Sequence, residues 1–163
     1  MKIFKDNLNR PWSIVVNVAT VKRVRSLLDI NLLDVVKLDK KDKPNIDLLE
    51  QLASDPVLLC DVIYCICKPD ADLQNISDED FGAAMGGDAI EHATTALLEE
   101  LVDFFPEAKR LVLRKLMNAG EKVKTRMEKA LKLQLADPKL DQELEDQVTR
   151  YIDSSMNSPV SSE

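Results

Sequence analysis

From Ile46 almost to its end, the chain spaces its apolar residues at intervals of three and four, and that rhythm confines it to a helical architecture. The clearest stretch is Asp88 to Phe105, where Ile90, Ala93, Leu97, Leu101 and Phe104 fall on one helical face. A second long helix is predicted over 107–135, with the stripe Val112, Leu116, Ala119, Val123, Met127 and Ala130. A weaker one follows over 139–153, on Leu140, Leu144, Val148 and Ile152. Pro106 and Asp137-Pro138 punctuate these three. Upstream, a helix over about 46–54 stops at Ser54-Asp55. Pro56 then opens the next helix, where its missing N–H costs nothing. That helix carries Leu58, Leu59, Val62, Ile63 and Ile66 and is expected to end before Pro69, leaving 69–76 as a polar loop. Ser77-Asp78-Glu79-Asp80 starts a short helix with acidic residues on its positive end. Gly86-Gly87 breaks the chain before Asp88.

The opening residues follow a different period. Residues 2–18 read as a β-hairpin, with Ile3 and Phe4 in a first run and Asp6-Asn7-Leu8-Asn9 as the turn. Trp12, Ile14, Val16 and Val18 alternate onto one face, and Ser13 and Asn17 onto the other. Pro11 sits at the start of the second strand, where a missing donor does least harm. Two strands alone are marginal in water, so this hairpin must pack on helices. Thr20 is the expected N-cap of a helix through Asp29, with Val21, Val24, Leu27 and Leu28 as its stripe and Lys22, Arg23 and Arg25 outward. Ile30–Leu38 fits either a helix or a third short strand on Val35-Val36. Asp39–Asn45 is a charge-rich loop. The predicted fold is mainly α: a helical bundle with a short N-terminal β-hairpin packed on it. The 163 residues suffice for one domain, drawn over 1–153, with 154–163 as a disordered tail.

Composition narrows the function. Only 4% of residues are aromatic, so Leu, Val, Ile, Ala and Met must build the core. The net charge of -7 opposes binding to phosphate backbones unless the positive charges are segregated. They are partly segregated. From Asp70 to Glu107 there are eleven acidic residues and no Lys or Arg; from Lys109 to Lys132 there are nine basic residues and two acidic. The plainer reading packs the two helices antiparallel so that they neutralise each other. The sharper one turns the basic helix toward a separate acidic partner. Nucleic acid fits less well, because no aromatics interleave with the Lys and Arg. No signal peptide follows MKIFKD and no run approaches the ~20 apolar residues that span a bilayer, so a cytoplasmic location without membrane contact is expected.

Catalytic and metal chemistry finds few residues to use. Cys60, Cys65 and Cys67 are too clustered for a disulfide framework and reach four zinc ligands only with His92, the single histidine. Small buried hydrophobes are the better account of the thiols. His92 offers the only base for a Cys–His pair, and a solvated helical position suits it better. The stretch from Asp70 lacks the glycine and the bidentate glutamate of a calcium loop. Gly82-x3-Gly86-Gly87 has no Lys-Ser/Thr after it and is no phosphate loop. No cofactor, no metal and no enzymatic activity are expected.

The order of certain motifs resembles a known family. A strand Trp12-Ser13-Ile14-Val15-Val16-Asn17-Val18 leads to Val21-Lys22-Arg23-Val24-Arg25 and Leu28-Asp29-Ile30-Asn31-Leu32. Later come Leu52-x-x-Asp55-Pro56, Ile76-Ser77-Asp78-Glu79-Asp80-Phe81, Gly87-Asp88-Ala89-Ile90 and Ala93-x-x-Ala96-Leu97-x-Glu99, closing on Phe104-Phe105-Pro106. Over about 1–115 this resembles the tail assembly chaperones of tailed bacteriophages, encoded between the tail tube and tape-measure genes. The resemblance implies a helical, non-enzymatic protein in the host bacterial cytoplasm. Its implied partners are the coiled-coil tape-measure protein and the tail tube protein, with self-association as a further option. Competing readings are a structural head–tail adaptor or tail completion protein, and a helical nucleic-acid-binding regulator. A holdase needs an apolar groove with charged rims. The candidate partner-binding residues are therefore Leu97, Leu98, Leu101, Phe104 and Phe105, rimmed by Lys109, Arg110, Arg114 and Lys115.

Overall fold

The computed structural model describes residues 1–38, 44–136 and 138–156. Among these residues it is mainly helical, with seven α-helices and a short antiparallel hairpin at the N-terminus. The chain gathers into two units, Met1–Met117 and the remainder from Asn118, where the sequence reading drew one domain over 1–153. The expected tail divides differently: its first residues belong to the last helix, which runs to Met156, and 157–163 lie outside the described residues.

In the first unit, β1 (Lys2–Lys5) pairs with β2 (Pro11–Ile14). The Asp6 carboxylate, which is fully enclosed, organises the turn. It accepts from the Leu8 and Arg10 N–H groups at 2.9 Å each, from Arg10 Nε at 2.6 Å and from Trp12 Nε1 at 2.9 Å. Burial alone would raise its pKa, but the donors from Trp12, Arg10 and Leu8 outweigh burial and hold it below the usual carboxylate value. Trp12, Ile14 and Val16 point into the core as expected, but Val18 does not. The strand ends earlier, because Asn17 caps α1 (Val18–Leu28) by accepting from the Thr20 N–H at 2.9 Å. Thr20, expected as the cap, is buried instead and donates its hydroxyl to the Val15 carbonyl.

A 3₁₀ turn at Leu32–Asp34 follows, with Val35 and Val36 fully buried. The third strand falls just beyond them: β3 (Lys37–Leu38) pairs antiparallel with β4 (Pro44–Asn45). Residues 39–43 of the expected loop lie outside the described residues. Then come α2 (Asp47–Ser54) and α3 (Pro56–Gln74), the latter opened by Asp55, whose carboxylate accepts from Val57 and Leu58 N–H at 3.0 Å.

The predicted end of α3 before Pro69 is corrected. The helix continues through Pro69 to Gln74, where Asn75 closes it in the left-handed region with φ 54°. Proline at this position denies the Cys65 carbonyl its helical donor. Arg23 makes good the loss: its guanidinium donates to the carbonyls of Cys65 and Ile66, at 3.0 Å each. Arg23 therefore does not point outward, as its place on α1 had suggested.

Helix α3 is the hub, touched by α1, α2, β2, α5 and α4 (Asp78–Ala83). Phe81 of α4 meets Trp12 edge-on, with centroids 4.8 Å apart. Gly87, at φ +52°, makes the break before α5 (Asp88–Phe104). Ala89, Ala93 and Ala96 are among the buried residues of α5, and their small size suits the close approach of β1. The expected neutralisation of α5 by the basic helix takes another form: Glu99 pairs with Lys2 at 3.0 Å, and Glu100 with the Met1 amine. The first turns of α6 (Glu107–Leu135) close the core through Leu113.

In the second unit, α6 continues to Leu135 and α7 covers Pro138–Met156.

Candidate functional site

The candidate partner-binding residues divide by burial. Leu97, Leu101 and Phe105 are 1%, 0% and 2% exposed and belong to the core of the first unit, so no partner reaches them in this conformation. Leu98 and Phe104 are half-buried. The basic rim is also split. Lys109 donates to the Leu33 carbonyl at 3.2 Å and lies over the Phe105 ring. Arg110 donates to the Phe105 carbonyl at 3.1 Å. Both therefore pin α6 to the core, whereas Arg114 and Lys115 are exposed.

The accessible apolar surface lies farther along. On α6, Val123, Met127 and Leu131 are 53%, 67% and 55% exposed, at intervals of four along one stripe. On α7, Leu144, Val148 and Ile152 are also about half exposed at the same spacing. Neither helix covers the stripe of the other. The flanking charges are opposite. From Asn118 to Leu135 there are five basic and two acidic residues, and from Lys139 to Asp153 five acidic and two basic. Sequence reasoning had Val123, Met127, Leu144 and Val148 as stripe positions but centred the surface on 97–115. The available signal was the lack of a third long stripe able to cover both α6 and α7.

The thiols belong to the core. Burial pushes Cys67 up to about 12 and Cys60 up to about 11, and raises Cys65 as well. Cys67 is 1% exposed, and its Sγ lies 3.7 Å from the Ser13 carbonyl. Among the described residues, no group of three or more His, Cys, Asp or Glu is arranged to hold a metal ion. His92 is exposed on α5. No helix among the described residues is long and apolar enough to cross a membrane.

Comparison with protein-family models, with curated proteins and with solved structures returns no match.

Proposed function

We propose that this chain is a non-enzymatic binding factor whose second unit holds an amphipathic helical segment of another protein. The observation that carries the reading is the uncovered stripe Val123, Met127 and Leu131 on α6, flanked by basic residues. An amphipathic helix laid along it buries apolar area at roughly 25 cal/mol per Å² and meets lysines with its own acidic rim. Met127 adds an adaptable contact. Given the resemblance to tail assembly chaperones, the proposed client is the coiled-coil tape-measure protein, met in the host cytoplasm during tail tube assembly.

Co-expression tests this. The tape-measure protein of the same phage is expected to become soluble and to co-purify with the native chain, and to lose both with Met127→Glu/Leu131→Glu. Unchanged solubility with no complex overturns the proposal. A second reading, a structural adaptor built from copies of this chain, draws on the opposite charges of α6 and α7, which suit reciprocal pairing between copies. Light scattering separates the two: a ring-sized mass without the client favours the adaptor.

A further inference from the structure

The hairpin carries a second surface in the first unit. The register Lys2↔Ile14, Ile3↔Ser13, Phe4↔Trp12, Lys5↔Pro11 runs on into a bond from the Asp6 N–H to the Arg10 carbonyl. Ladder bonds alternate along an antiparallel pair. Phe4 and Lys2 therefore bond to β2, and the N–H and C=O of Ile3 and Lys5 point away from it. Pro11 occupies the matching outward position on β2, where its missing N–H removes no ladder bond. Among the described residues, no hydrogen bond reaches those outward groups of Ile3 and Lys5.

A groove of about 760 Å³ runs beside this edge. One wall is the consecutive residues of β1, and no β2 residue contributes, which places the groove on the outer edge of the hairpin. The other wall is α5, with His92, Thr95 and Glu99 along its rim and the nearly buried Ala89 and Ala96 at its base. The small alanines leave room that a larger side chain would fill. Ile3 is 60% exposed beside it.

We propose that this groove takes an extended segment of a partner protein, added to β1 as a third strand, with an apolar residue over Ala89 and Ala96 and an acidic residue beside Lys5. Outward backbone groups repeating every second residue, about 6.8 Å apart, match the spacing of another strand. A helix cannot answer them, because its own backbone groups are already bonded internally. Lys5 has no ion-pair partner among the described residues and is the cation such a strand would meet. A second copy of β1 fits poorly: antiparallel pairing through these outward groups sets Lys5 of one copy opposite Ile3 or Lys5 of the other, and neither supplies a carboxylate. Lysines on an edge strand also guard it against indiscriminate pairing, which restricts entry to a strand of complementary charge. The site is separate from the α6 stripe and does not rest on the reading given for it.

A library of seven-residue peptides is selected against the full chain, and the enriched peptides are measured against the native protein and Ile3→Pro. That substitution deletes an outward N–H and blocks the edge, while leaving the bonds to β2 as Pro11 already does. Enriched peptides are expected to rank acidic and apolar residues in alternation, to slow hydrogen exchange at the Ile3 and Lys5 amides, and to bind Ile3→Pro at least tenfold more weakly. Methylating alternate backbone nitrogens of the peptide is expected to cost a similar factor. An unchanged thermal melt and circular dichroism establish that Ile3→Pro is folded; should it not be, Thr95→Trp, which fills the groove from the exposed wall, replaces it with the same expected loss. The proposal is overturned if no peptide enriches, or if the enriched peptides bind the folded variant and their methylated forms as tightly as the originals.

Discussion

Trp12 and Tyr151 are both bulky aromatics beside apolar neighbours, yet Trp12 is fully enclosed and Tyr151 is 74% exposed. The contrast extends to their units. Up to Met117 the apolar stripes close on one another around α3 and every long helix finds a cover. From Asn118 onward, stripes with the same spacing remain open. Periodicity tells which side of a helix is apolar. What covers that side depends on whether another stripe is tethered close enough to meet it, and the first unit supplies several whereas the second holds two helices that leave each other bare.

The contrast is open to attack at several points. The largest effect is expected from Trp12→Ala, which opens a cavity at the centre of the first unit and removes the Trp12 donor from the enclosed Asp6 carboxylate. A loss of about 3–5 kcal/mol is expected in denaturant unfolding. Next comes Arg23→Met, which leaves the Cys65 carbonyl without a donor beside Pro69, at about 1–3 kcal/mol. The loss should shrink when Pro69→Ala restores the helical N–H, and a double-mutant cycle reads this directly. Asp6 gives a pH-dependent test. Its pKa is lower in the folded chain than unfolded, so its contribution is fully present above about pH 4 and fades as the pH falls through the folded value. Acid unfolding of Asp6→Asn should accordingly be less steep than that of the native chain. The smallest effect belongs to the second unit: Val148→Ala, on an exposed face, should change stability by no more than about 0.5 kcal/mol. A loss of 2 kcal/mol or more at Val148 would mean that its stripe is covered after all.

Much of the helical plan was legible because caps and breakers agree with the apolar period. Asp55-Pro56, Ser77-x-x-Asp80 and Gly86-Gly87 each act where the sequence places them. The misplaced points share a cause. Pro69 stays helical because of a donor forty-odd residues away on α1, and Thr20 yields the cap to Asn17 because its hydroxyl finds Val15. Capping and breaking rules read each residue type alone and include neither the arginine on α1 nor the Val15 carbonyl that takes the threonine hydroxyl. The candidate surface was displaced for a related reason. Leu97, Leu101 and Phe105 look like surplus apolar residues until the hairpin and the first turns of α6 are folded over them. The backbone edge of β1 has no sequence signature beyond a short strand carrying lysines.

The Arg23 bridge also bears on how the chain is made. Helix α3 cut out as a peptide would be expected to fray at Pro69, since nothing within it replaces the missing donor. The arginine that replaces it lies on α1, which leaves the ribosome first. By the time Pro69 is synthesised, the side chain that replaces its missing donor is already present in the nascent chain.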